Sequence, residues 1–140
     1  MIRIKSYLTF NGNCREAMRF YKKCLGGELR FQTLGESVGT EVLPKEIKAC
    51  ILQASLRSPY AEIIATDIVP DEGLYMGNNI ALMLECRSLK ELMGVYQRLG
   101  KGGTATQRVI PTTSGCYYAS LTDPFGIRWM LNFDPAGSTL

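Results

Sequence analysis

The feature that most constrains the fold is an internal repetition, since one order of local signals occurs twice along the 140 residues. Residues 2–10 alternate Ile2, Ile4, Leu8 and Phe10 with Arg3, Lys5, Tyr7 and Thr9, the period of a half-buried strand. Asn13 stands where an N-cap belongs, with Glu16 three residues on. Ala17, Phe20, Tyr21 and Cys24 then recur at helical spacing and predict a helix over 14–24. Gly26 and Gly27 end it, because glycine enters the left-handed conformation at little steric cost. Strand-like stretches follow at 28–34, 48–56 and 61–67, with a loop expected over 35–45.

The second pass begins with a strand over 79–86. Ser88 with Glu91 then forms a capping box, and Leu89, Leu92, Met93, Tyr96 and Leu99 predict an amphipathic helix over 88–100. Gly100, Gly102 and Gly103 close it. Strands are expected near 104–110, 116–122 and 127–133, the last two joined by the turn Asp123-Pro124-Phe125-Gly126. Laying Asn13 on Ser88 puts Glu16 on Glu91 and Gly27 near Gly103. The expectation is an α+β fold of two βαβββ modules, 1–67 and 78–134, with a linker at 68–77 and a tail at 135–140. The sheets should be antiparallel or mixed. At 46% hydrophobic and 21% charged residues the chain has the composition of one ordinary folded domain, too short for a second catalytic one.

Composition removes several chemistries. The sequence contains no histidine, which excludes Ser-His-Asp and Cys-His nucleophilic machinery and any zinc site that needs imidazole. The five cysteines, at 14, 24, 50, 86 and 116, have no C-x-x-C spacing and read as reduced thiols. Cys50 and Cys86 read as small buried hydrophobes. Cys14 differs, since the first position of a helix favours a thiolate, an effect that the nearby Glu16 opposes. A net charge of +3, with no basic run longer than Lys22-Lys23, is too small for a nucleic-acid footprint. No stretch approaches the ~18 apolar residues of a membrane span, and residues 1–18 do not resemble a signal peptide. No membrane association and a cytosolic location are expected.

The two modules and their local sequences resemble the vicinal-oxygen-chelate superfamily, which contains glyoxalase I, bleomycin-resistance proteins and extradiol dioxygenases, and within it the PhnB-like branch. The stretches that carry the resemblance are Tyr7-Leu-Thr-Phe-Asn-Gly-Asn with Glu16-Ala17 and Phe20-Tyr21; Leu25-Gly26-Gly27; Gly77-Asn-Asn-Ile; Gly102-Gly103; and Leu121-Thr-Asp-Pro-Phe-Gly-Ile-Arg-Trp129-Met130. The resemblance implies a glyoxalase/bleomycin-resistance-like fold with cupped sheets, and in metal-dependent members four ligands on the concave face. Those positions map to Lys5 or Ser6, Glu62 or Ile64, Asn79, and Met130. Only Glu62 is a carboxylate, so this set is a poor one for Zn(II) or Ni(II), and neither a metal nor a cofactor is expected. A methyltransferase role, a label also attached to PhnB-like proteins, would need a nucleotide-type cofactor. No G-x-G-x-x-G follows a strand, and two βαβββ units leave no Rossmann sheet.

Strand alternation gives a second route to the concave face. It places Lys5, Tyr7 and Thr9, then Glu62, Ile64 and Thr66, on that side. In the second module Ile80, Leu82 and Leu84 should cover the helix, turning Asn79, Ala81, Met83 and Glu85 to the cup. Trp129, Leu131 and Phe133 leave Arg128, Met130 and Asn132 there, and one of Tyr117 and Tyr118 must join them. The candidate ligand-binding residues are Lys5, Tyr7, Glu62, Thr66, Asn79, Met83, Arg128 and Met130. The lining suits a small organic ligand with an apolar body and one anionic or carbonyl group, with Arg128 or Lys5 as its charge partner. Against this stands a bland reading, in which Arg128 and Glu62 pair with each other or with solvent and the methionines fill gaps. A metal-free binding protein, working as a homodimer, is the leading function. The alternatives are a lyase, isomerase or dioxygenase using an atypical metal or acid-base chemistry at Glu62, Tyr7 or Lys5, and a scaffold with an empty cup.

Overall fold

The first repeat builds β1 (Ser6–Thr9), α1 (Cys14–Leu25), β2 (Glu28–Thr33), the short α2 (Lys45–Lys48), β3 (Ile51–Arg57) and β4 (Glu62–Thr66). The second builds β5 (Leu82–Cys86), α3 (Leu89–Gly100), β6 (Thr104–Pro111), β7 (Tyr117–Thr122) and β8 (Arg128–Phe133). The structure is a computed structural model whose described residues are 1–37 and 39–137. Val38, in the expected loop, and 138–140, in the expected tail, lie outside them. The chain divides into two compact units, Met1–Tyr75 and Met76–Leu140.

Each unit forms one four-stranded mixed sheet, in the order β1-β4-β3-β2 and β5-β8-β7-β6. The first strand lies parallel to the last, and the remaining pairs are antiparallel. This is the α+β architecture that the repetition predicts. Parallel pairing needs a crossover, and the helix supplies it. Cys14, Ala17, Met18, Tyr21 and Cys24 make the buried stripe of α1, which packs on the side of the sheet carrying Ala54, Leu56, Ile63 and Ala65. Leu92, Val95 and Leu99 do the same for α3 against Ala119, Leu121, Trp129 and Leu131. Met18 and Val95 take the core places expected of Phe20 and Met93, and Met93 is exposed.

The equivalence of the halves is visible in two glycines. A Cβ on Gly27 would stand 2.9 Å from the Arg57 carbonyl, and one on Gly103 would collide with the Thr122 carbonyl. Each glycine lets the chain leave its helix close against the end of the neighbouring strand. Arg57 and Thr122 are also the ladder partners of Glu28 and Thr104, so the two sites correspond residue for residue.

Several expectations need correction. The strand expected over 2–10 is shortened to Ser6–Thr9, and Ile2 and Ile4 are 94% and 97% exposed. The strand expected over 79–86 begins only at Leu82, leaving Asn79 outside it and Ile80 76% exposed rather than on the helix. The cause is the same in both units. β4 starts at Glu62 and β8 at Arg128, so the parallel ladders begin at Ser6 with Ile63 and at Leu82 with Trp129. Residues further upstream have no strand to pair with. The expected loop over 35–45 contains a 3-10 turn at Leu34–Glu36, and α2 delays the next strand to Ile51.

Caps also differ. Ser88 Oγ accepts the Glu91 N–H at 3.0 Å, and Glu91 Oε1 accepts the Arg87 N–H at 3.2 Å, close to the capping box read in the sequence. The Asn13 side chain, by contrast, makes no capping bond. The orphan amides at the start of α1 are taken by Asp67, just past β4. Its Oδ1 accepts Gly12 N–H at 3.1 Å and Cys14 N–H at 2.9 Å, while Oδ2 accepts Ile51 N–H at 2.9 Å. One carboxylate thus joins α1, β3 and the end of β4. Asp67→Ala should lower unfolding stability by about 3 kcal/mol, because three amides lose a charged acceptor. Asp67→Asn should recover only part, since an amide nitrogen in place of Oδ2 cannot accept from Ile51. Urea unfolding of the three proteins measures both effects.

Candidate functional site

The helix covers one face of each sheet, and the opposite face carries a different set of side chains in rows set by the ladder registers. In the first unit the row nearest the start of β1 runs Lys5, Glu62, Arg57, Glu28, one from each strand in turn. Charges alternate along it. The next row is Tyr7, Ile64, Ser55, Arg30, and the third is Thr9, Thr66, Gln53, Gln32. In the second unit the rows are Arg128 with Thr122 and Thr104, then Met83, Met130 and Ser120, then Glu85, Asn132 and Tyr118. Tyr118 is therefore the tyrosine on this side. Tyr117 lies opposite Phe133 and stacks on its ring at 6.2 Å.

Glu62 is the focus of the first set. Lys5 Nζ lies 3.0 Å from its Oε2, and Arg57 donates to its Oε1 at 3.0 Å. The Glu62 side chain is only 13% exposed, whereas its two partners are far more open to solvent. Hydrogen bonds from Lys5 and then Arg57 hold its carboxyl below the usual glutamate range. At the edge of the same face Arg30 binds Glu28 at 2.7 Å and holds that carboxyl low as well. Lys5 and Glu62, with Arg3, Ile4, Arg57 and Tyr60, line a recess of about 390 Å³.

The remaining candidates are placed as follows. Tyr7 is 63% exposed on the uncovered face. Thr66 is buried and its hydroxyl is committed, donating to the Leu52 carbonyl at 2.8 Å and accepting Ile68 N–H at 3.0 Å. Asn79 precedes β5 and lies off the sheet. Met83 and Met130 are ladder partners. Arg128 donates to the Asn78 carbonyl, so it pins the segment ahead of β5.

Sequence reasoning missed Arg57 because the expected strand stopped at residue 56. One more residue of alternation would have put it beside Glu62. It also missed Asp67, whose partners are 53 and 16 residues away in sequence. The expected bias of Cys14 toward a thiolate is reversed. Its thiol is pushed up to about 12, first by burial and then by the Asp67 carboxylate, with Arg15 opposing. Cys86 is half-buried and raised to about 11 by burial and then Glu91. Cys50 is half-buried too.

The sequence pattern of the Glyoxalase/Bleomycin resistance protein/Dioxygenase superfamily matches residues 3–131. The chain belongs to that superfamily. Protein YjdN of Escherichia coli (strain K12) is 26% identical over 138 residues, spanning 92% of this chain and 93% of its own. The crystal structure of protein PA1353 from Pseudomonas aeruginosa is 30% identical, with a TM-score of 0.84 over 96% of this chain and 98% of that one. The PhnB protein from Bacillus cereus shares the fold at 18% identity, with a TM-score of 0.69 over 95% of this chain and 100% of that one.

Membership in this superfamily raises the question of a metal, and the donor chemistry answers it. The register makes Glu62 equivalent to Arg128, Ile64 to Met130, and Lys5 to Ala81. In the first two rows, which hold the mapped positions, the two last strands would offer a carboxylate and a guanidinium, or an alkyl group and a thioether. Neither pair suits a divalent first-row ion. Ser6 faces the helix side, and both Glu62 oxygens already accept bonds from cations. Among the described residues no three Cys, Asp or Glu side chains gather into a metal-holding group. The residues present do not fit the metal.

Since the folded-state pKa of Glu62 is depressed, the stability it gains is present above the ordinary glutamate pKa and is lost as pH falls through the depressed value. Side-chain NMR titration should find Glu62 ionising below the ordinary glutamate value. Lys5→Met and Arg57→Met should each move that titration upward.

Proposed function

We propose that this chain is a metal-free small-molecule-binding member of the superfamily. It takes an organic ligand with an apolar body and one anionic or carbonyl group on the uncovered sheet faces. The observation that carries the reading is the poor donor set at the mapped ligand positions, Lys5 or Ser6, Glu62 or Ile64, Asn79 and Met130, whose one carboxylate, Glu62, is neutralised by two cations. The same observation disfavours acid-base catalysis through Glu62. A carboxylate held low by hydrogen bonds is ionised at neutral pH and is a weak base. Arg128 uses one donor on Asn78 and has further donors on its fork to offer an anion. Met83 and Met130 beside it supply adaptable apolar contact.

The working protein is a cytosolic homodimer in this reading. Exposed Ile2, Ile4 and Ile80 and the free edges of β1 and β5 support it, because a second chain can cover them. No helix among the described residues is long and apolar enough to cross a membrane.

Protein purified without chelators or a histidine tag should contain far less than one metal per chain. Zn(II), Ni(II) and Mn(II) should leave its melting temperature unchanged. Native mass spectrometry should find a co-purified organic molecule, bound at least tenfold more weakly by Arg128→Ala. Stoichiometric metal with a metal-dependent lyase or dioxygenase activity would overturn the proposal. Sedimentation as a monomer at micromolar concentration would overturn the dimer.

A further inference from the structure

The row Lys5, Glu62, Arg57 is more than a satisfied ion pair. Glu62 has two oxygens and each accepts one bond, whereas an ammonium carries three donors and a guanidinium five. Beyond Glu62, Lys5 makes no ion pair among the described residues, while Arg57 also acts on Glu28, its ladder partner, whose carboxylate is held first by Arg30. Arg3 opens onto the same recess, so three cations line it against the one carboxylate of Glu62. Ile4, Pro59 and Tyr60, all exposed, border the recess with apolar groups. A volume of about 390 Å³ falls in the size range of small-ligand sites.

These features differ in kind. Glu62 is the least exposed of the three and sits between the other two, so it fixes the spacing of two long, otherwise flexible side chains. Holding both cations beforehand removes part of the entropy that an incoming anion would otherwise have to supply. The resemblance maps two metal-ligand positions to Lys5 or Ser6 and to Glu62 or Ile64.

We propose that Lys5 and Arg57, positioned by Glu62 and assisted by Arg3, form an oxyanion receptor for a small carboxylate or phosphate ester with an aromatic or short aliphatic body lying against Ile4, Pro59 and Tyr60. The proposal rests on the binding-protein reading and assigns an anion-binding chemistry to the first unit. Lys5 and Arg57 each give charge-assisted hydrogen bonds to the oxyanion while keeping their bonds to Glu62. Glu62 is a positioning residue, since it repels the ligand directly and helps only through the cations.

The test is a titration of isotope-labelled protein at low salt with benzoate and with phenyl phosphate, followed by amide NMR. Each aryl anion is expected to shift the amides of 4–7, 57–58 and 60–62, and binding should weaken with added salt. The tighter of the two assigns the head group. Lys5→Met and Arg57→Met should each lower affinity tenfold or more. Glu62→Gln should lower it about fivefold although it makes the site more positive, and Glu62→Asp should recover part of that loss. Absence of amide shifts with both anions would overturn the receptor. So would folded Lys5→Met and Arg57→Met variants that bind within twofold of the parent. Tighter binding by Glu62→Gln would overturn the positioning role. Should a variant fail to fold, the shifts in the unaltered protein decide. A co-purified ligand that depends on Arg128 but not on Lys5 or Arg57 would sink the receptor and leave the broader binding reading intact.

Discussion

The parallel pairing of the first strand of each module with its last is the constraint on which the other features depend. It needs a crossover helix, it decides where each outer strand can begin, and it fixes which residues meet across the uncovered face. Ser6 opposite Ile63 places Lys5 opposite Glu62, and Leu82 opposite Trp129 places Ala81 opposite Arg128. A slip of one residue in either ladder would turn Lys5 or Met83 toward the helix. The short ladders also leave Ile2, Ile4 and Ile80 outside the sheets, where the core of their own unit does not reach them.

The two modules share a backbone and have diverged in chemistry. Equivalent positions hold Glu62 and Arg128, Arg57 and Thr122, Tyr7 and Met83. The first face is a lattice of charge and hydroxyl groups. The second mixes one guanidinium with methionines, amides and a tyrosine. Equivalent positions of the two units therefore do not offer identical donors.

Each module is also fastened by one aspartate, in two ways. Asp67 accepts amides from three places in its unit and caps α1 from the far side of the fold. Asp123 is buried in the turn before β8, where Oδ1 accepts Phe125 and Ile127 N–H groups and Oδ2 accepts the Trp129 indole N–H at 2.8 Å. The first is a long-range clasp. The second locks the turn to the largest side chain of the core, and its Asp-Pro-Phe-Gly sequence already announced it.

Local chemistry was legible from the sequence wherever the partners were close along the chain. The repetition, both helices, the Ser88 cap, the glycine stops, the Asp123 turn and the face assignments of β4 and β8 all follow from propensity and period, which act within a few residues. The side of the sheet on which Lys5, Tyr7, Glu62, Met83, Arg128 and Met130 sit was read from the same alternation. The tertiary structure alone decided where the strands begin, that Asp67 rather than Asn13 caps α1, that burial silences Cys14, and that Arg57 joins Lys5 on Glu62. Those outcomes depend on residues far apart in sequence that the fold brings within hydrogen-bond distance, and no local pattern encodes which partner a strand end or a carboxylate will meet.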